Sequence, residues 1–164
     1  MLGNDDGTDF LPARLIAVVV CATVLAAAAA AYAQQQAQDL STGSARAGAA
    51  RIAGAACAEY ADSCPGAGDG ATVAVTIPGS VRSVIFGGRP SNGTILRSDC
   101  IYCIELGDGS TEIYSANAPF ARGYASGPRD EPLVLYPGKH LLRVRAEAMN
   151  GGFVAAITPE ACDG

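Results

Sequence analysis

The sequence has no tryptophan, and aromatic residues make up only 6% of its 164 positions. It has one histidine and nothing resembling a nucleophile motif, which leaves most enzyme classes without their working residues. Charged residues are scarce as well, at 16%, and the formal net charge is -5. With a pI near 4.7 and no basic cluster, nucleic-acid binding is excluded as a main role. Disorder is excluded from the other side: 49% of the residues are hydrophobic, and disorder needs low hydrophobicity with high charge. Six cysteines are too dilute for a disulfide mini-scaffold. What the chain has instead is alanine and glycine, 32 and 20 residues. Twenty of the alanines fall between Ala13 and Ala61, so two compositions are joined end to end.

Residues 15–33 read LIAVVVCATVLAAAAAAYA, nineteen positions without a charge. A helix crossing a hydrocarbon layer of ~30 Å needs about 20. Pro12 suits a first helical turn, and Thr8 or Asp9 can cap it. The expectation is a transmembrane helix following a short acidic leader, residues 1–14. A cleaved secretory signal competes with it, because Ala31-Tyr32-Ala33 has the form of a signal-peptidase site. Against that, the leader carries Asp5, Asp6 and Asp9 but only Arg14, and the apolar run exceeds the usual ~7–15 residues. A buried core helix is the third reading.

No proline interrupts residues 34–64, which form an Ala-rich helical stalk. A single helix from about Leu11 to Ser63 would be ~80 Å long at 1.5 Å per residue. Its large side chains are few, chiefly Leu40, Ile52 and Tyr60. Small residues at three-to-four spacing, among them Gly43, Ala47, Gly48, Ala50 and Ala55, let helices approach closely. Those five are candidate helix-packing positions; a passive solvated stalk is the competing reading.

From residue 65 the composition changes. Residues 65–70 are a Pro/Gly hinge, and residues 71–164 hold short β-type runs separated by turns. Runs at 72–77, 81–86, 101–106, 111–115, 133–136, 140–146 and 153–158 predict an antiparallel sheet or sandwich of six to eight strands. Gly107–Ser110 joins one hairpin and Pro137-Gly138 another. The stretch 117–132 lacks a pattern and reads as a long surface loop. The fold class is therefore α+β: a long N-terminal helix followed by a small antiparallel β-domain.

Cys21 sits in the apolar segment, leaving Cys57, Cys64, Cys100, Cys103 and Cys162 as disulfide candidates. Cys57 and Cys64 flank the helix end. Cys100 and Cys103 form a C-x-x-C, but on a strand they face opposite sides about 10 Å apart, too far for a mutual bridge. The expectation is that one of them pairs with Cys162; a Cys57/Cys64/Cys100/Cys103 metal set and free thiols are the alternatives. Disulfides place the domain outside the cytoplasm. Asn92-Gly-Thr94 is a glycosylation sequon. His140 opens a strand, Asp108 and Glu112 flank a turn, and neither arrangement is read as catalytic or metal-binding. No catalytic, cofactor or metal residue is expected.

The layout resembles archaeal type IV pilins and pilin-like proteins. The resemblance rests on residues 11–20 (LPARLIAVVV), 77–87 (IPGSVRSVIFG) and 135–140 (LYPGKH). It implies removal of the leader after Ala13, helices bundled with one another, and β-domains outside. Many bacterial pilins carry glutamate at the fifth position after the cut, where Val18 stands here. The resulting expectation is a non-enzymatic structural subunit of a cell-surface filament or envelope assembly. Its partners would be the membrane and other pilin-like helices, and its location a single-pass membrane or an extracellular filament. A membrane-anchored extracytoplasmic domain that binds a ligand or partner protein is the alternative.

Overall fold

The computed structural model describes residues 10–62 and 70–160. The order of elements is α1 (Phe10–Ala61), β1 (Ala71–Ile77), β2 (Val81–Ser91), β3 (Thr94–Leu106), β4 (Thr111–Ser115), β5 (Phe120–Arg122), β6 (Leu133–Leu135), β7 (Gly138–Met149) and β8 (Gly152–Glu160). The long N-terminal helix and the small β-sheets make an α+β protein, as the sequence implies. Two compact units divide the chain, the first ending at Leu40 and the second beginning at Ser41. The acidic leader through Asp9, including the capping candidates Thr8 and Asp9, lies outside the described residues. So do most of the hinge, Cys64 and Cys162.

In the first unit, residues 15–33 of α1 are apolar on every side and exposed. Every residue from Arg14 to Leu40 is exposed. The exposed side chains include Leu15 at 68%, Val18 at 67% and Leu25 at 70%. Mean hydropathy reaches 2.4 over its most apolar window, and α1 is the one described helix long and apolar enough to cross a membrane. A helix that is hydrophobic all round belongs in a large core or in a bilayer.

The second unit starts with the remainder of α1. Ala45, Ala49, Ile52, Ala53 and Ala56 repeat at helical spacing, and all five are buried. They join a core shared by two four-stranded sheets, ordered β1-β7-β8-β5 and β4-β3-β2-β6. The first sheet contributes Val73, Val75, Ile77, Leu142, Val144, Ala155 and Ile157. The second contributes a row of rings. Tyr114 stacks on Tyr102 at 5.0 Å, Tyr102 on Phe86 at 5.6 Å, and Phe86 meets Phe120 of β5 edge-on at 5.4 Å. A shift of register between Val81 and Ser83 lets both Val81 and Val84 point inward.

Three details differ from the sequence reading. The strands are not all antiparallel, since β5 pairs in parallel with β8. The stretch 117–132 is no simple surface loop: it contains β5, and Ala118, Phe120 and Ala121 are buried. The Pro137-Gly138 turn does not close a hairpin, because β6 and β7 lie in different sheets.

Arg97 ties the second sheet to β5. Its guanidinium donates to the carbonyls of Gly87 (2.8 Å) and Phe120 (2.7 Å) and pairs with Asp130 (2.6 Å). Gly87 has φ 74°, and a Cβ there would lie 2.3 Å from the Arg97 Nη1. Both backbone and space therefore require glycine. Gly87→Ala should destabilise the β-domain by about 2 kcal/mol or more, read as a lowered denaturation midpoint of the full chain in detergent.

Candidate functional site

The site with most to do is α1, and it works differently in the two units. In the first, the charge-free stretch carries two groups that settle their own polarity. Thr23 returns its hydroxyl to the Val20 carbonyl at 2.9 Å, and Gln36 donates to the Tyr32 hydroxyl at 2.7 Å. In a bilayer, backbone and hydroxyl groups must be satisfied internally in this way. Ala13, the expected cleavage position, lies within α1.

In the second unit, α1 is fastened to the sheets by polar contacts that sequence reasoning missed. Arg46 forms a two-pronged ion pair with Glu112 of β4, and Tyr114 donates its hydroxyl to the same carboxylate at 2.7 Å. Ser41 and Ser80 share a hydrogen bond of 2.6 Å. The hydrogen bond from Arg46 holds the Glu112 carboxyl down at about 2, against an ordinary 4.5. No local signal joins Arg46 to Glu112, which are 66 residues apart.

Of the small residues read as helix-packing positions, Ala55 packs against the domain's own core and the others are not buried by it. Gly43, Ala47 and Ala50 are exposed, and Gly48 and Ala55 are half-buried. The inward row is the neighbouring one, Ala45 to Ala56. Gly48 has ordinary contact distance to Val75, 3.8 Å from an added Cβ, whereas Gly43 and Gly54 have nothing within 4 Å. Ala47 and Gly48, with Ser44 and Arg51, line an open groove of about 550 Å³ beside β1 and β7, where Lys139 and His140 also lie.

The expected bridges run to Cys64 and Cys162, which lie outside the described residues, and no disulfide joins the described cysteines to one another. Cys57, Cys100 and Cys103 are free thiols, as is Cys21 in the first unit. Cys100 is exposed and Cys103 is buried, so the two point away from each other on β3. The Cys103 thiol lies 3.4 Å from the Gly88 carbonyl, and burial pushes its pKa up. A buried, protonated thiol is poorly suited to exchange. Among the described residues no three histidine, cysteine or acidic side chains converge on a point that could hold a metal ion.

The remaining polar candidates have local roles. Asp108 accepts from the Ser110 backbone (2.8 Å) and hydroxyl (2.7 Å), which depresses its pKa and closes the β3–β4 turn. The His140 Nε2 lies 2.7 Å from the Tyr136 carbonyl. Asn92 is exposed at the tip of the β2–β3 hairpin with φ 48°, followed by Gly93 at 79°, the backbone of a tight two-residue turn.

No protein-family model, curated protein or solved structure matches this chain.

The ion pair yields a pH test. Glu112 is depressed on folding, so its contribution is complete above about 4.5 and is lost as pH falls toward 2. The unfolding midpoint of the full chain in detergent should drop over that window. Glu112→Gln should lower the midpoint at pH 7 and flatten the acid decline; an unchanged decline would remove Glu112 as its source.

Proposed function

We propose that the chain is a non-enzymatic, pilin-like structural subunit, anchored by α1 and displaying its β-domain outside the cytoplasm. The observation that carries this reading is the division of labour within α1. Residues 15–33 are apolar all round and uncovered, while the residues from Ala45 to Ala56 give the β-domain part of its core. A helix whose one half is spent on its own domain and whose other half is exposed and apolar is suited to association in a bilayer or a helical bundle.

The row Gly43, Ala47 and Ala50 supports association in particular. It stays on the outside after the domain has taken the adjacent alanines for its core. Partners would be the membrane and further helices of the same kind, and the location a single-pass cell membrane or a surface filament.

Two measurements test the proposal. The intact mass of protein taken from its native membrane should correspond to a start at Arg14; a start at Gln34 would exclude the membrane helix altogether. A Cβ added at Gly43 would meet nothing within 4 Å, so Gly43→Leu builds outward from open space. It should therefore abolish filaments or oligomers, seen by electron microscopy of sheared surface material, while the melting of the β-domain stays within ±0.5 kcal/mol of the parent. Normal assembly in this variant would count against packing through that face.

A further inference from the structure

The outer face of the second sheet bears a cavity that the anchoring role does not use. The register shift after Val81 turns Ser83 and Ile85 outward, away from the ring row. Across the strands Ser83 stands beside Glu105, and Glu105 beside Thr111; one step along, Ile85 stands beside Cys103 and Val134. A second shift, between Phe86 and Gly88, bends the β2–β3 hairpin, and its tip (Pro90 to Ile95) walls the same cavity. Gly88 packs so tightly that a Cβ would approach Ile95 to 2.7 Å and Pro132 to 3.0 Å. This half-open cavity has a volume of about 460 Å³. Small-molecule sites run from roughly 300 to 1,000 Å³.

The lining has a definite chemistry. Ile85 and Val134 supply an apolar floor. Ser83, the one buried polar residue among those described, donates to the Glu105 carboxylate at 3.0 Å. Arg82 pairs with the other Glu105 oxygen at 3.3 Å. Carboxylate and guanidinium cancel, so neither an anion nor a cation gains net attraction there. What remains is a set of hydrogen-bonding groups, with hydroxyls from Ser83 and Thr111 and the Asn92 amide at the tip. Tyr136, 64% exposed, offers a ring at the rim. A neutral ligand with many hydroxyls and an apolar C–H face matches all three features: it both donates and accepts, carries no charge, and lies flat on an aromatic ring.

We propose that this cavity is a binding site for a neutral saccharide. Glu105 accepts from ring hydroxyls, Arg82 donates to them, and Tyr136 stacks against the sugar. The site is independent of the assembly role and stands or falls separately.

The test uses the full-length ¹⁵N-labelled chain in lauryldimethylamine oxide, a detergent without a sugar headgroup. It is titrated with the methyl glycosides of glucose, galactose, mannose and N-acetylglucosamine. At least one should shift the amide resonances of Ser83, Glu105, Thr111 and Tyr136 in a saturable manner. Glu105→Gln and Tyr136→Ala should each weaken that binding about tenfold or more, the scale of one charge-assisted hydrogen bond or one aromatic contact, with the melting midpoint retained. The proposal is overturned if none of the glycosides moves these amides. It is also overturned if both variants bind as the parent does, or if inorganic phosphate or tetramethylammonium saturates the site and the glycosides do not.

Discussion

The contact between the alanine stripe of α1 and the sheet core is the constraint on which the second unit depends. An alanine reaches only one methyl group beyond the backbone, so a helix that presents Ala45, Ala49, Ala53 and Ala56 brings its backbone close to whatever it covers. The volume such a helix leaves unfilled must come from the other side. It does so from the row Tyr114, Tyr102, Phe86 and Phe120, together with Ile52, the large side chain fully buried on the helix stripe, and the half-buried Tyr60. Few aromatics are needed in the core because four of them stand in one line. The few rings of the core and the alanine stripe of the helix are thus two sides of one packing solution.

The same economy separates the roles of the helix. A stripe of alanine satisfies the domain with a single face and leaves the adjacent small residues outside. From Arg14 to Leu40 every residue is exposed, and between residues 15 and 33 apolar side chains point in all directions. Arg46 and Ser41 mark the change, since each engages the β-domain through a polar contact at the start of the buried half. The groove beside β1, with Gly48 and Ala47 on one wall and Lys139 on the other, is what remains of that surface.

Much of the architecture was legible in the sequence, and the limits have physical causes. The apolar run and the proline-free stalk announce one helix, and β1, β4, β7 and β8 announce themselves by alternation and turns. Which face of the helix turns inward was not legible, because alanine occupies both faces and no periodicity distinguishes Ala45 and Ala49 from Ala47 and Ala50. Strand β5 escaped because three residues carry no period and its parallel partner is remote in sequence. The β2–β3 hairpin had a signal that was read only as a sequon: Asn92-Gly93 between apolar runs is a hairpin turn. The Arg46–Glu112 pair and the Ser83–Glu105–Thr111 row were beyond reach, since both arise from strand register and helix docking rather than from neighbours in the chain.

The fastening of α1 also has a mechanical meaning. The ion pair of Arg46 and the Ser41–Ser80 hydrogen bond sit at the N-terminal end of the buried half of the helix. Tension drawn along the helix toward its N-terminus therefore meets these two polar contacts and the alanine stripe together, as a load in shear shared among many small contacts. Parting the helix from the sheets requires them to yield in concert, whereas a peeling force from the far end would meet them one at a time.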